Sequence, residues 1–221
     1  MLSIVTVNLN NSDGLLKTLT SIKFNIEHQV IIIDGNSSDD SLKTIKAFEK
    51  KFRNYIFLHE KDQGVFDAMN KGLMLAKFEW IVFMNSGDSF VNCDIIEKTL
   101  INIKNIDIIY GNHRMSDKNH KAFELKILKK GIIHACHQSM FFNSNRLKNN
   151  LFYKKFRLYG DYELVNRLFL NGFKFKFIDV VFSDIEPGGI SQKISTVKRL
   201  EKFKIVFHSY GFKGILNAYI N

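Results

Sequence analysis

Five short runs of β-branched and aromatic residues punctuate the first half of the chain: Ser3-Ile4-Val5-Thr6-Val7, Val30-Ile31-Ile32-Ile33, Tyr55-Ile56-Phe57-Leu58, Trp80-Ile81-Val82-Phe83 and Ile106-Asp107-Ile108-Ile109-Tyr110. Each is largely apolar at consecutive rather than alternate positions, which predicts strands covered on both faces, as in a parallel sheet flanked by helices. The stretches between them carry helical spacing. Leu15, Leu16, Leu19 and Ile22 recur within Gly14 to Phe24, and Leu42, Ile45, Phe48 and Phe52 within Asp39 to Phe52, with Ser38 or Asp39 as N-cap. Strand and helix in alternation imply a doubly wound α/β fold, whose ligands bind at the carboxyl ends of the strands.

Beyond residue 112 the alternation weakens. His113 to Lys130 is polar and basic and reads as a strand plus a mobile loop. Tyr159 to Leu170 reads as a helix stopped by Asn171-Gly172, and Phe173 to Phe182 as a final strand pair. From Lys193, the apolar residues Ile194, Val197, Leu200, Phe203, Phe207 and Tyr210 interleave with Lys193, Lys198, Arg199, Lys202 and Lys204. That pattern predicts a basic amphipathic helix, either packed on the domain or lying on an anionic membrane surface. The division expected is one domain over 1–192 and this helix over 193–221.

With 221 residues and 45% hydrophobic content the chain suits a single core. Cys93 and Cys136 are far apart, so neither a disulfide scaffold nor a four-thiolate zinc site is expected, and a reducing compartment fits. No run approaches the ~18 uninterrupted apolar residues of a spanning helix, and Met1 to Val7 is too short for a signal peptide. These features point to the cytoplasm, with the inner face of the cytoplasmic membrane as a peripheral station. The net charge of +10 favours polyanionic partners. No nucleic-acid recognition motif accompanies it, so nucleic acid is not expected.

Chemistry-bearing residues gather where the strands end. Asp34-Gly35-Asn36-Ser37-Ser38-Asp39 follows the second strand, and its glycine, hydroxyls and amides suit either a nucleotide-binding loop or a polar helix cap. Glu60 to Gly72 follows the third. There Asp62 is the leading substrate-binding residue, Asp67 reads equally as an acid of the helix start, and Lys71 as a surface cation. The fourth strand runs into Asn85-Ser86-Gly87-Asp88, where Asp88 is the expected metal position, since a hard divalent ion can rest on one carboxylate when a diphosphate completes its shell.

Taken in order, Ile4-Val5-Thr6-Val7-Asn8-Leu9-Asn10, Asp34 to Asp39, Glu60 to Gly72 and Asn85 to Asp88 make the chain similar to the family 2 glycosyltransferases of the GT-A type. That family includes bacterial enzymes of capsule, O-antigen and colanic-acid assembly, and the resemblance spans residues 1 to about 192. It implies a GT-A, Rossmann-like fold and an inverting, metal-dependent transfer from a nucleotide sugar to a glycan or lipid-linked acceptor. The donor is UDP-linked by default and GDP-linked next. The implied donor-nucleotide set is Thr6, Asn8, Asp34, Asn36, Asp62, Gly64, Asp67, Asn70 and Lys71, with Asp34 and Asp62 toward base and ribose. The resemblance implies Mn2+ or Mg2+ at Asp88, although Asn85 and Gly87 stand where many members carry further aspartates. Asn85, Ser86, Gly87, His137, Gln138 and Gly189 fall to the donor sugar and acceptor, Gly189 within the glycine-rich stretch Gly188 to Ser191. Asp161 corresponds to the general base and is preferred to Glu163, which points away from a ligand at the helix mouth. Two other readings stand beside this one: a nucleotidyltransferase, which would want a phosphate-binding loop after the first strand, and a non-catalytic basic module.

Overall fold

The computed structural model describes residues 1–189 and 196–219. Ile190, Ser191, Lys193, Ile194 and the boundary at 192/193 lie outside the described residues. In chain order the first elements are β1 (Leu2–Asn8), α1 (Ser12–Thr20), β2 (His28–Asp34), α2 (Ser41–Phe48), β3 (Tyr55–His59), α3 (Val65–Leu75) and β4 (Trp80–Phe83). Then come β5 (Ser89–Phe90), α4 (Cys93–Asn102), β6 (Ile108–Met115), β7 (Lys118–His120), β8 (Met140–Asn143) and α5 (Ser144–Lys148). The last are α6 (Gly160–Leu170), β9 (Phe175–Ile185) and α7 (Thr196–Tyr219).

These strands form one mixed sheet in the order β3-β2-β1-β4-β8-β6-β9-β5, with β7 paired to β6. β1 runs parallel to β2 and β4, and β2 to β3. β8 runs antiparallel to both β4 and β6, which makes β6 parallel to β4, and β9 is parallel to β6. Six strands, β1 to β4, β6 and β9, therefore discharge their carboxyl ends along one edge.

The runs of β1, β2 and β4 are buried on both sides, as their composition demands, whereas β3 at the sheet edge stays half-buried with Ile56 exposed. Val5, Val7, Ile31, Ile33, Ile81 and Phe83 face a cluster with Phe66 and Met69 of α3, Tyr162 and Leu168 of α6 and Ile205 and Val206 of α7. Ile4, Val30, Ile32 and Val82 face the opposite cluster, with Leu15 and Leu19 of α1, Ile45 and Phe48 of α2 and Ile96 and Leu100 of α4. At ~1.5–3 kcal/mol for each fully buried aliphatic side chain, these two layers dominate the fold's stability.

Three expectations change. The stretch read as a strand plus mobile loop is the hairpin β6–β7 followed by a 3-10 turn at Leu125–Lys130, pinned by the fully buried Leu128. Its turn residues Ser116 and Asp117 sit at φ 49 and 59, a left-handed conformation with none of the usual Asn-Gly signature. The expected strand pair is the single strand β9 of 11 residues, whose pairing with β6 slips around Gly111, where a Cβ would meet the Phe182 ring at 2.6 Å. The first two helices are shorter than their apolar spacing implied, and the N-cap of α2 is Asp40 rather than Ser38 or Asp39, although Asp39 Oδ1 accepts from Ser41 N at 3.0 Å one residue ahead of it.

Candidate functional site

Two polar networks line the carboxyl edge of the sheet. The first joins the ends of β1, β2 and β3. Asp34 is fully buried, and its carboxylate accepts from Asn8 Nδ2 (2.7 Å), Ser37 N (2.9 Å), Ser37 Oγ (2.6 Å) and His59 Nδ1 (2.6 Å). Burial alone would raise its pKa; the hydrogen bonds from Ser37, Asn8 and His59 outweigh it and hold the carboxyl below its ordinary value. Asn10, at φ 50, accepts from Ser38 N through Oδ1 (2.8 Å), so the two loops brace each other. Asn36, at φ 66, stays exposed at the loop tip.

Asp62 closes this side. A Cβ at Gly35 would lie 3.2 Å from Asp62 Oδ2, and Asp62 Oδ1 pairs with Lys71 Nζ at 2.6 Å. Lys71 also reaches Glu60 Oε1 at 2.8 Å. Desolvation opposes its charge, but Asp62 and Glu60 together raise its pKa. Asp67 accepts from Gln63 N (3.0 Å) and pairs with Lys154 (3.2 Å), which fixes the start of α3 after Gly64, itself at φ 118. Asn70 exchanges two hydrogen bonds with the Phe152 backbone.

The structure thus places Asn8 and Asp34 as the internal brace of the first network, Asp67 and Asn70 as anchors of α3 and the 150s loop, Asp62 largely covered and paired with Lys71, and Asn36 at the open surface. Thr6 is fully buried within β1, its hydroxyl without a partner, and does not reach the edge.

The second network surrounds the end of β4. Asp88, 5% exposed, accepts from Gln138 Nε2 (2.6 Å) and from Glu186 N (2.9 Å). Burial pushes its pKa up, and these two donors only partly offset that rise. Gly87, at φ 103, carries the loop past Glu186: a Cβ there would fall 1.7 Å from Glu186 Oε2. Thr18 Oγ1 donates to Asp88 O (2.6 Å) and accepts from Gly87 N (3.0 Å), fixing the loop on α1. Ser86 Oγ is buried without a partner, and Gly189 stands in the open beyond β9.

His137, beside Gln138 in sequence, links the other two groups. Its Nε2 lies 3.3 Å from Asn85 Nδ2 and its Nδ1 3.4 Å from Asp161 Oδ2. With the Asn85 amide as donor, the imidazole presents its Nδ1–H to Asp161. Asp161 Oδ1 also accepts from Tyr162 N at 2.7 Å, and the side chain retains 21% exposure. Glu163 is instead held by Arg167 at 2.9 Å and is buried away from this cluster. A Cβ at Gly160 would lie 2.5 Å from the Phe66 ring, so only glycine lets α6 begin this close to α3.

Two acids escaped the sequence reading. Glu186 owes its place to the pairing of β5 with β9. Glu201 of α7 accepts from the backbone N–H groups of Arg157 (2.7 Å), Leu158 (3.0 Å) and Tyr159 (3.0 Å), directly ahead of Asp161. The only local signal for Glu186 was a carboxylate ahead of Pro187-Gly188-Gly189; Glu201 read as one more charge on a basic helix.

A mostly parallel α/β sheet with acidic loops along one edge is the architecture of GT-A glycosyltransferases. The description of Glycosyl transferase family 2 matches residues 3–170, and the chain belongs to that family. It is a nucleotide-sugar-dependent glycosyltransferase, which sets aside the nucleotidyltransferase and non-catalytic readings. It is 29% identical over 208 residues to a PGL/p-HBAD biosynthesis glycosyltransferase of Mycobacterium bovis, covering 88% of this chain and 80% of that one. Its fold matches the crystal structure of S. aureus TarS 1-349 in complex with UDP-GlcNAc with a TM-score of 0.76 at 16% identity, covering 100% of this chain and 68% of that one. It matches the mannosyltransferase PcManGT from Pyrobaculum calidifontis in complex with GDP-Man and Mn2+ with a TM-score of 0.70 at 13% identity, covering 94% and 63%.

Proposed function

We propose that this enzyme inverts the anomeric centre as it moves a sugar from a nucleoside diphosphate, UDP before GDP, onto a hydroxyl of a growing, lipid-linked glycan. The observation that carries the reading is the adjacency of His137 and Gln138: one side chain contacts Asp161, the next contacts Asp88. Two consecutive residues thereby tie the acid suited to proton removal to the acid suited to the diphosphate.

In this scheme the nucleoside half of the donor rests on the edge formed by the β1, β2 and β3 loops, with Asp62 and the exposed tip at Asn36 meeting base and ribose. Asp34 acts through the backbone it braces, because its carboxylate is spent on Asn8, Ser37 and His59. The acceptor hydroxyl gives its proton to Asp161 as its oxygen bonds to the anomeric carbon, and the bond from that carbon to the diphosphate oxygen breaks with its electron pair leaving on the nucleoside diphosphate. His137 orients Asp161 through Nδ1–H and is itself oriented by Asn85.

The buried carboxylate of Asp88 is the one acid at the end of β4; its two oxygens accept from Gln138 Nε2 and Glu186 N, and among the described residues no group of three or more His, Cys, Asp or Glu gathers to hold a metal, so a divalent cation there would rest on Asp88 and the donor diphosphate. Asp88 would hold Mn2+ or Mg2+, which when bound supplies positive charge against the leaving diphosphate. GT-A relatives carry that ion, as the PcManGT complex with Mn2+ illustrates.

The test is release of nucleoside diphosphate from a panel of nucleotide sugars, with and without Mn2+, by the wild type, Asp88→Asn and Asp161→Asn. Asp161→Asn is expected to lose transfer while donor affinity persists, and Asp88→Asn to lose metal-dependent donor affinity. Full turnover by Asp161→Asn would overturn its role.

A further inference from the structure

α7 is not a plain capping helix. At Gly211 the backbone takes φ 62 and ψ −158, and the chain turns back on itself. Tyr219 Oη donates to Arg199 O at 3.3 Å, and the Tyr219 ring lies 6.4 Å from that of Phe203. The result is a helical hairpin. Its inner side is fully used: Ile205 and Val206 are buried in the core, and Glu201 is bound to the Arg157–Tyr159 backbone.

Its outer side has no partner. Leu200 is 58% exposed, Phe212 79% and Leu216 52%, and the half-exposed rings of Phe203, Phe207 and Tyr219 join them. Phe203 and Phe207 stack at 6.0 Å with an interplanar angle of 2°, and Phe212 stands edge-on to Phe207 at 5.4 Å. Phe203, Phe207, Phe212 and Tyr219 therefore make one continuous aromatic face, with Leu200 and Leu216 exposed on the same hairpin, a feature that marks an interaction surface.

The surrounding charge selects the occupant. Between Thr196 and Tyr219 the cations are Lys198, Arg199, Lys202, Lys204 and Lys213, against the single acid Glu201, whose carboxylate is turned inward. Across a groove of about 570 Å³, whose two acids Glu163 and Glu201 are held by Arg167 and by backbone N–H groups, stand the exposed Lys155 and Arg157. Protein interfaces deplete lysine around their apolar centre, whereas aromatic and leucine side chains ringed by lysine and arginine suit the headgroup zone of an anionic bilayer. Among the described residues no helix is long and apolar enough to cross a membrane, so the hairpin would lie in the membrane plane.

We infer that the outer face of the hairpin docks the enzyme on an anionic lipid surface, with Leu200, Phe207, Phe212 and Leu216 entering the headgroup–acyl boundary and Arg199 and Lys213 meeting lipid phosphates. This inference is independent of which sugar or acceptor the enzyme uses. Glu201 gives it a structural consequence: the docking element and the segment that delivers Asp161 are joined by three hydrogen bonds, so the two are held as one unit.

The test is flotation of the full-length protein with vesicles of phosphatidylcholine alone or with about a third phosphatidylglycerol. Binding is expected only to the anionic vesicles, weakening as salt rises. The pair Phe212→Ser/Leu216→Ser and the pair Arg199→Glu/Lys213→Glu should each lower it about tenfold or more, with melting temperature and diphosphate release unchanged. A further variant, Phe212→Trp, retains an aromatic face and should show a blue-shifted emission increment on anionic vesicles and quenching by brominated lipid. Equal binding to both vesicles, binding to neither, or a solution dimer abolished by Phe212→Ser would each overturn the inference.

Discussion

Glu201 offers a quantitative handle on how the C-terminal hairpin supports the reaction edge. Its carboxylate is 8% exposed and accepts three backbone N–H groups at 2.7, 3.0 and 3.0 Å. Charge-assisted hydrogen bonds contribute roughly 1.5–3 kcal/mol each. Arg157 is exposed and Leu158 and Tyr159 half-buried, so water can replace part of what is lost, and the net cost of Glu201→Ala should be about 2–4 kcal/mol. For a chain of this size each kcal/mol moves the melting temperature by roughly 2–4 °C, which gives a fall of about 4–16 °C by circular dichroism. The same segment sets Asp161, and small misplacements of catalytic groups cost up to ~100-fold, so kcat should fall about tenfold or more while donor KM stays within about twofold. Glu201→Gln keeps an acceptor oxygen and should recover part of both losses. A melting temperature within about 1 °C of wild type together with an unchanged kcat would refute this reasoning.

Gly160→Ala forces a methyl against the Phe66 ring, which is already stacked on Phe152 at 5.4 Å. It should destabilise by about 1–3 kcal/mol and lower kcat more than donor affinity, read by denaturation and steady-state kinetics. Burial drives His134 down to about 3, and burial with the neighbouring His120 drives His113 down to about 4. Both are neutral in the folded state while the unfolded chain protonates near 6.5, so their contribution is full above that pH and is lost as pH falls through about 4 for His113 and about 3 for His134. His134→Leu, which also removes two unpartnered ring nitrogens, should flatten the slope of melting temperature against pH between these limits. Cys136, its thiol pushed up to about 12 by burial and by Asp161 and Asp88, should resist alkylation at pH 8, as mass spectrometry after brief iodoacetamide exposure would establish.

Much of the fold was legible because β1, β2 and β4 are buried on both faces and therefore largely apolar at consecutive positions. β5, β7 and β8 were not, since two to four residues carry no periodicity of their own. α4 hid behind a polar surface, and its cap Asn92 adopts a left-handed conformation that no motif announces. Asp34, Asp62, Asp88 and Asp161 lie at a strand end, in loops or at a helix start along one sheet edge, but what each side chain contacts was invisible in the sequence. Asp34 and Thr6 are sealed inside, whereas Glu186 reaches Asp88 from 98 positions away. Such roles arise from strand pairing rather than local spacing.

The central claim is that one edge of this sheet binds a nucleotide sugar and directs an acceptor hydroxyl, through Asp161, at its anomeric carbon. The most direct measurement is proton NMR of the fresh transfer product made from an α-linked nucleotide sugar. The account predicts a β-configured product formed by the wild type and not by Asp161→Asn. An α-configured product, or a β product formed equally well without the Asp161 carboxylate, would contradict it.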